Sequence, residues 1–187
     1  RIGYSFIYPG CGYGGSCFPK DVNALIHTAT TAGIDPVVLK SVELRNTLQK
    51  IIMVNQVFEK FGEDLSDYKF SIWGLSFKPG TNDIREAPSL VIIEKLINAG
   101  ATVHAHDPVS ISEVENFIPK SWKDKLFLTE GDQYSIIDDS DALLLITEWK
   151  LYRNPDFLKI KETGGSLLRP VFFLGFLIGF AIYTYTY

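Results

Sequence analysis

Between residues 70 and 147 short apolar runs alternate with a clear helical segment, and that alternation leaves little choice of fold. Phe70–Leu75 and Ala142–Thr147 carry almost no polar side chain, as strands covered on both faces require. Pro88–Asn98 has helical spacing, with Pro88 at its start and Gly100 just past its end. Thr102–His106 follows as a second strand, Leu126–Leu128 is a weaker strand signal, and Gln133–Asp138 reads as a short helix. Strand, helix, strand in this order predicts an α/β domain with a parallel sheet and helices on its faces.

The first sixty residues follow a different pattern. Residues 1–18 are rich in glycine and aromatics, and from Pro19 the spacing of Val22, Leu25, Ile26 and Ala29 predicts a helix that Gly33 stops. Asp35-Pro36, read as an N-cap and a first-turn proline, opens a longer helix that runs to Phe61. Its Val38, Leu39, Val42, Ile52, Val54, Val57 and Phe58 are too many for one narrow stripe. A long helix that is apolar on more than one side packs on a partner, so Pro36 to Phe61 is expected to be an interdomain and homodimer helix. Gly62–Lys69 is polar and reads as a linker. The expected divisions are therefore 1–62 for the helical segment, 63–163 for the α/β domain and 164–187 for an atypical apolar tail. From Val171 to Tyr187 no residue is charged, a run at the lower limit for crossing a bilayer. Gly175, Gly179 and the alternating Tyr183-Thr-Tyr-Thr-Tyr187 favour a buried strand pair or a junction tail over a membrane anchor.

At 187 residues and 46% hydrophobic, the chain can bury one full core and a small second unit. Its formal net charge of -4 argues against a nucleic-acid binder, which needs a basic stripe, yet permits a local cation cluster for a phosphorylated small molecule. Two cysteines, Cys11 and Cys17, give no disulfide framework and point to a reducing compartment, the cytoplasm. His27, His104 and His106 do not combine with them in a metal-ligand spacing, so no metal is expected. The chain opens on Arg1-Ile-Gly-Tyr4, with no Met and no signal-like segment, so a piece of a longer protein is expected.

The stretch most suggestive of chemistry is Gly10-Cys-Gly-Tyr-Gly-Gly-Ser-Cys-Phe-Pro-Lys-Asp21. Gly10, Gly12 and Gly15 formally satisfy a dinucleotide fingerprint, but that motif needs its helix to open inside the glycines, and here Pro19 marks the first turn. The better reading is a glycine-rich loop whose N–H groups approach an anionic or hydroxyl-rich ligand, leading into a helix N-terminus that carries Cys17. The helix dipole and the Lys20 ammonium there both favour a thiolate, which makes Cys17 a candidate nucleophile. Against this stands a plain alternative: an inert buried cysteine beside turn-forming glycines. Asp21 by itself reads as an N-terminal charge complementing the dipole.

These residues resemble the active-site motif of the UDP-glucose 6-dehydrogenase family, and Arg1-Ile-Gly-Tyr4 is similar to the run preceding it. A second stretch, Trp73-Gly-Leu-Ser-Phe-Lys-Pro-Gly-Thr-Asn-Asp-Ile-Arg-Glu-Ala-Pro-Ser89, looks like the nucleotide-binding loop of the same family. His106-Asp-Pro108 and Thr147-Glu-Trp149 also fit. The resemblance implies a Rossmann-like UDP-binding domain behind a helical dimerisation segment. It implies oxidation of UDP-glucose to UDP-glucuronate with two NAD in turn, through a thiohemiacetal and a thioester on Cys17. Lys20 would lie by cofactor and substrate, and Asp21 would position the hydrolytic water or move a proton. The loop with Tyr8, Gly10, Gly12, Tyr13, Gly14 and Gly15 would hold glucose and pyrophosphate. Phe77 and Lys78 would contact the substrate, Arg85 the NAD, and Arg1 the substrate of a neighbouring subunit. Taken without the resemblance, Lys78 and Arg85 are equally plain surface cations after a strand, and Asp107 reads as a turn residue before a ribose ligand.

The sequence also departs from that family. An NAD-binding domain is expected ahead of residue 1, so the chain alone is expected not to turn over. Cys11 stands where the family has proline. Gly164 onward reads as unrelated to the family's substrate-contacting strand and turn. A non-catalytic nucleotide-sugar-binding dimerisation fragment, and a related enzyme for GDP-mannose or a UDP-N-acetylhexosamine, are the competing readings.

Overall fold

The computed structural model describes residues 10–163 and 172–175. Two helices lead: α1, Phe18–Thr31, and α2, Val37–Phe61. Then come β1 (Lys69–Trp73), α3 (Pro88–Asn98), β2 (Thr102–His106), α4 (Ile111–Phe117), β3 (Leu126–Thr129), β4 (Ala142–Leu145), α5 (Phe157–Thr163) and β5 (Phe172–Gly175). The strands form one sheet in the order β3-β2-β1-β4-β5, every adjacent pair parallel. The order reverses beside β1, so the loop after β1 opens at the point where parallel α/β sheets place their ligands.

Both faces of the sheet are covered, which is why its strands read as apolar runs. Phe70 and Ile72 of β1 point into one core with Ile92, Ile93 and Leu96 of α3. Each such side chain contributes about 1.5–3 kcal/mol on burial. Trp73 points to the other face, stacked on Tyr152 at 5.0 Å with the Tyr134 ring edge-on at 5.5 Å. The first core does not stop at the polar stretch 62–69. Met53, Val54 and Val57 of α2 belong to it, as do Cys11 and Leu65, so the rear half of the long helix is anchored in the domain. Its front half is not: Val38 is 75% and Leu44 61% exposed.

Several sequence expectations change. Asp35 does not cap α2: Pro36 holds the cap position without a side-chain bond, and the Asp35 carboxylate pairs with Lys40 at 2.7 Å. The segment expected to be helical at 133–138 is a single 3-10 turn, Gln133–Ile136. The apolar segment 164–187 is not wholly outside the domain, because β5 joins β4 in register from Ala142↔Phe172 to Leu145↔Gly175. A fifth parallel strand shields the open edge of β4, and an uncharged run suits that place. The rest of 164–187 lies outside the described residues. Among the described residues, no helix is long and apolar enough to cross a membrane.

The end of β2 carries a pH-sensitive contact. His106 Nε2 lies 3.0 Å from the Gly131 carbonyl and Nδ1 2.6 Å from the Tyr152 hydroxyl. A carbonyl only accepts, so Nε2 carries a proton; the Tyr152 hydroxyl, also 3.0 Å from the His106 carbonyl, has one proton to divide between that carbonyl and Nδ1. Burial lowers the pKa of His106, and burial together with Lys69 lowers that of His104. Unfolded, both would titrate near 6.5. The folded state therefore resists a proton that the unfolded state accepts, and stability is full above that value and falls as the pH drops below it. The melting temperature is expected to be lower at about pH 5.5 than at about pH 7.5, with a smaller drop in His106→Gln, where the lowered pKa of His104 still contributes. Asp83 and Asp132, whose pKa values are lowered by Arg85 and Lys159 respectively, lose their contribution only under more acidic conditions. An unchanged pH dependence in the variant would show that His106 is not the sensor.

Candidate active site

Two loops meet over α2. The first is the glycine loop before α1. Cys17 occupies the N-cap position of α1 with Pro19 in the first turn, and its thiol is exposed. Both thiols are free, and Cys11 is buried at 4% exposure. Burial, then the charge of Glu148, pushes the Cys11 thiol up to about 12. The second is the loop from Gly74 to Ala87 after β1. The Gly15 N–H donates to the Arg85 carbonyl at 2.8 Å, Gly14 lies against the Glu86 carbonyl, and the Phe77 ring covers Gly15. The thiol loop and the loop at the sheet's ligand edge are thus docked directly on each other.

Arg85 follows that docking outward. Its guanidinium is held at 2.7 Å and 2.8 Å by the two oxygens of Asp83. Asp83 raises the Arg85 pKa, with a smaller contribution from Cys17. Lys20 and Asp21 are exposed and 3.5 Å apart, a contact worth little in stability at such exposure. Lys78 is exposed, its amine 5.4 Å from the centre of the Phe77 ring. Gly12 lies against Asn46 and Lys50. Tyr13, Gly14, Gly15, Cys17, Phe77 and Arg85 are therefore brought together, with Lys20 at the rim. Arg1 and Tyr8 lie outside the described residues.

Sequence reasoning missed the floor of the site. Asn46 accepts from the Tyr13 N–H at 2.8 Å and donates to the Tyr13 carbonyl at 3.1 Å, a reciprocal pair. Gln49 donates to the Gly10 carbonyl at 3.0 Å, and the Tyr13 hydroxyl donates to Glu43. Burial and that bond hold the Tyr13 phenol well above its ordinary pKa. Lys50, buried, donates to the Glu86 carbonyl at 3.0 Å and reaches the Glu86 carboxylate at 3.4 Å. Glu86 has φ 53, an uncommon left-handed conformation for a residue with a side chain; the Lys50 bond helps hold it. The spacing 43, 46, 50 lays these groups on one face of α2. Between α1, α2 and the second loop opens a cleft of about 380 Å³, lined in part by Gly15, Ser16, Lys20, Asn46, Lys50 and Arg85.

This is an α/β nucleotide-binding domain whose ligand edge is joined to a helix-borne thiol. The chain belongs to the UDP-glucose/GDP-mannose dehydrogenase family: the family's UDP binding domain matches residues 71–173 and its central domain residues 1–48. That match runs into β5, so residues 164–173 are not unrelated to the family as the sequence reading expected. The chain is 46% identical over 171 residues to the UDP-glucose 6-dehydrogenase of Pseudomonas aeruginosa, covering 91% of this chain and 37% of that protein. It is 38% identical over 149 residues to the UDP-glucose 6-dehydrogenase YwqF of Bacillus subtilis, covering 80% and 32%. In structure it is similar to a UDP-glucose dehydrogenase from Pyrobaculum islandicum, with a TM-score of 0.74 and 29% identity over 84% of this chain and 35% of that one. A GDP-mannose dehydrogenase from Pseudomonas aeruginosa gives a TM-score of 0.62 and 26% identity over 81% and 36%. The chain spans about a third of the length of the curated relatives it matches.

Proposed function

We propose that this chain is the thiol-bearing and UDP-binding part of an NAD-dependent UDP-glucose 6-dehydrogenase that makes UDP-glucuronate. The observation that carries the reading is the docking of the Cys17 loop on the nucleotide loop through Gly15 and Arg85, which would set the thiol at a fixed distance from a UDP-sugar held at the sheet edge. The names of these relatives supply the substrate.

Exposed cations at the rim, Arg85 and Lys20, suit a dinucleotide's phosphates and fit NAD. When bound, NAD takes up hydride. The chain's own residues do the rest. Once C6 of glucose is an aldehyde, the Cys17 sulfur adds to its carbon, forming a C–S bond and turning the carbonyl oxygen into a hydroxyl. Loss of a second hydride from the same carbon, together with the hydroxyl proton, leaves a thioester. Water then attacks the acyl carbon, the C–S bond breaks, the thiol is restored and a carboxylate leaves. Lys20 steadies the oxygen that gains charge, and Asp21 orients the water or takes its proton. Tyr13, Gly14, Gly15, Phe77 and Lys78 line the sugar-nucleotide side.

The exposed apolar residues of the front of α2, with Leu25 and Phe18 of α1, supply the face for a homodimer. A thiol that must stay reduced suits the cytoplasm.

The test uses the chain's two thiols. Iodoacetamide is expected to modify Cys17 and spare Cys11, because Cys11 is buried and its pKa pushed up to about 12. Saturating UDP-glucose is expected to slow modification of Cys17 by roughly tenfold or more, with GDP-mannose giving less protection at the same concentration. Equal rates with and without UDP-glucose would refute the reading. Better protection by GDP-mannose would move the assignment to that substrate.

A further inference from the structure

Asp107 follows β2, is 1% exposed, and takes part in none of the steps above. Its Oδ2 accepts from the Leu75 N–H at 2.8 Å, the Ser76 N–H at 3.2 Å and the Trp149 indole N–H at 3.1 Å, and lies 3.4 Å from the Ser76 hydroxyl, whose one proton is shared with the nearer Lys78 carbonyl at 3.1 Å. Its Oδ1 accepts from the Val109 and Ser110 N–H groups, both at 3.0 Å. One carboxylate thus ties together the chain leaving β1, the turn after β2 and the segment after β4. A ring of N–H groups around a buried anion costs no unpaired donor, and bonds to a charged acceptor are the stronger kind. Neighbouring Thr147 adds a second tie, its hydroxyl donating to the Ser76 carbonyl at 2.6 Å. Phe77 and Lys78 are the next residues along the chain.

We propose that Asp107 is a positioning residue: its carboxylate sets the path of Leu75 and Ser76 and thereby aims Phe77 and Lys78 at the sugar nucleotide. The inference rests on the substrate assignment above only for the ligand used to read it. It also assigns Asp107 a different task from that of an acidic residue at this strand end in a dinucleotide site, which takes up ribose hydroxyls. Asp107 borders a cleft of about 440 Å³, but both of its oxygens are directed at protein donors.

The variant is Asp107→Asn. Whichever way the amide turns, its NH2 faces N–H groups, at Leu75, Ser76 and Trp149 on one side or Val109 and Ser110 on the other. Two readouts are taken on the full chain, with Val103→Ala in the middle of β2 as a control chosen for a comparable loss of melting temperature. Amide exchange of Leu75 and Ser76 in the free protein is expected to accelerate roughly tenfold beyond the control. UDP-glucose affinity is expected to weaken by roughly tenfold or more, while Val103→Ala stays within about twofold. Unchanged exchange overturns the proposal, and a weakened affinity beside it would make Asp107 a direct ligand. Faster exchange with control-like affinity overturns it too. If wild type binds no UDP-glucose, the substrate assignment falls, and the exchange data alone decide whether Asp107 holds this loop. If Asp107→Asn does not fold, Trp149→Phe removes one donor and keeps the charge. The same amides should then exchange faster by a smaller factor, and an unchanged pattern counts against the proposal.

Discussion

Gly74→Ala should lower stability by about 2–4 kcal/mol, the largest effect expected of a methyl group added at any of the described glycines. Gly74 follows β1 directly, with φ +97, where a side chain costs about 1–2 kcal/mol by itself. A Cβ there would overlap the Cβ of Thr147 and lie 2.6 Å from its nitrogen and 2.8 Å from its Cα. Thr147 cannot step back freely. It is tied to Ser76 through its hydroxyl, and Ile146 beside it donates to the Trp73 carbonyl at 2.9 Å. Relief must come from opening the contact between the ends of β1 and β4, which also displaces Ser76 and with it Phe77 and Lys78. The melting temperature should fall by roughly 10 °C, and UDP-glucose binding should weaken in the fraction that remains folded. A change of less than about 2 °C would mean that the strand ends are more yielding than their hydrogen bonds imply.

The same physics explains what could be read from the sequence. Pro88 and Gly100 bracket α3, and the bounds expected for α3 and β2 coincide with those observed, because proline and glycine act locally. The strands beside them were legible because a sheet covered on both faces tolerates few polar residues. α4 escaped notice: it has seven residues, and Ser110 at its cap makes no side-chain cap bond, so neither length nor capping announces it. β5 falls in the uncharged segment that reads equally as a buried strand pair or a junction tail; composition alone does not divide the two, since a lack of charge is also how a strand in this kind of sheet reads. In the site, the glycine loop and Cys17 were visible through their own chemistry. Asn46, Gln49 and Lys50 were not, since polar groups on a long helix ordinarily face water. Their meaning depends on two loops, one some thirty to forty residues before them and one about as far after, that fold onto them.

Gly14→Ala is expected to separate the two loops while leaving the sheet intact. At Gly14 no unusual backbone angle is involved, so the whole effect is the methyl group. It would strike the Glu86 carbonyl oxygen, with the carbonyl carbon at 2.8 Å and Phe77 Cβ at 3.0 Å. Glu86 is already in a left-handed conformation with its carbonyl held by Lys50, so the neighbour that could give way is itself fastened. The glycine loop has the greater freedom, being free to lift while Asn46 and Gln49 keep Tyr13 and Gly10 on α2. Lifting breaks the bond from Gly15 to the Arg85 carbonyl. The cost in stability should be only about 1–2 kcal/mol, whereas a misplacement of about 1 Å between thiol and nucleotide loop can cost roughly a hundredfold in productive engagement. Calorimetry should therefore show UDP-glucose affinity falling far more than the melting temperature suggests, and UDP-glucose should no longer shield Cys17 from alkylation. Affinity within about threefold of wild type, with shielding retained, would mean that the two loops act independently, and the thiol would then need some other element to bring it to the sugar.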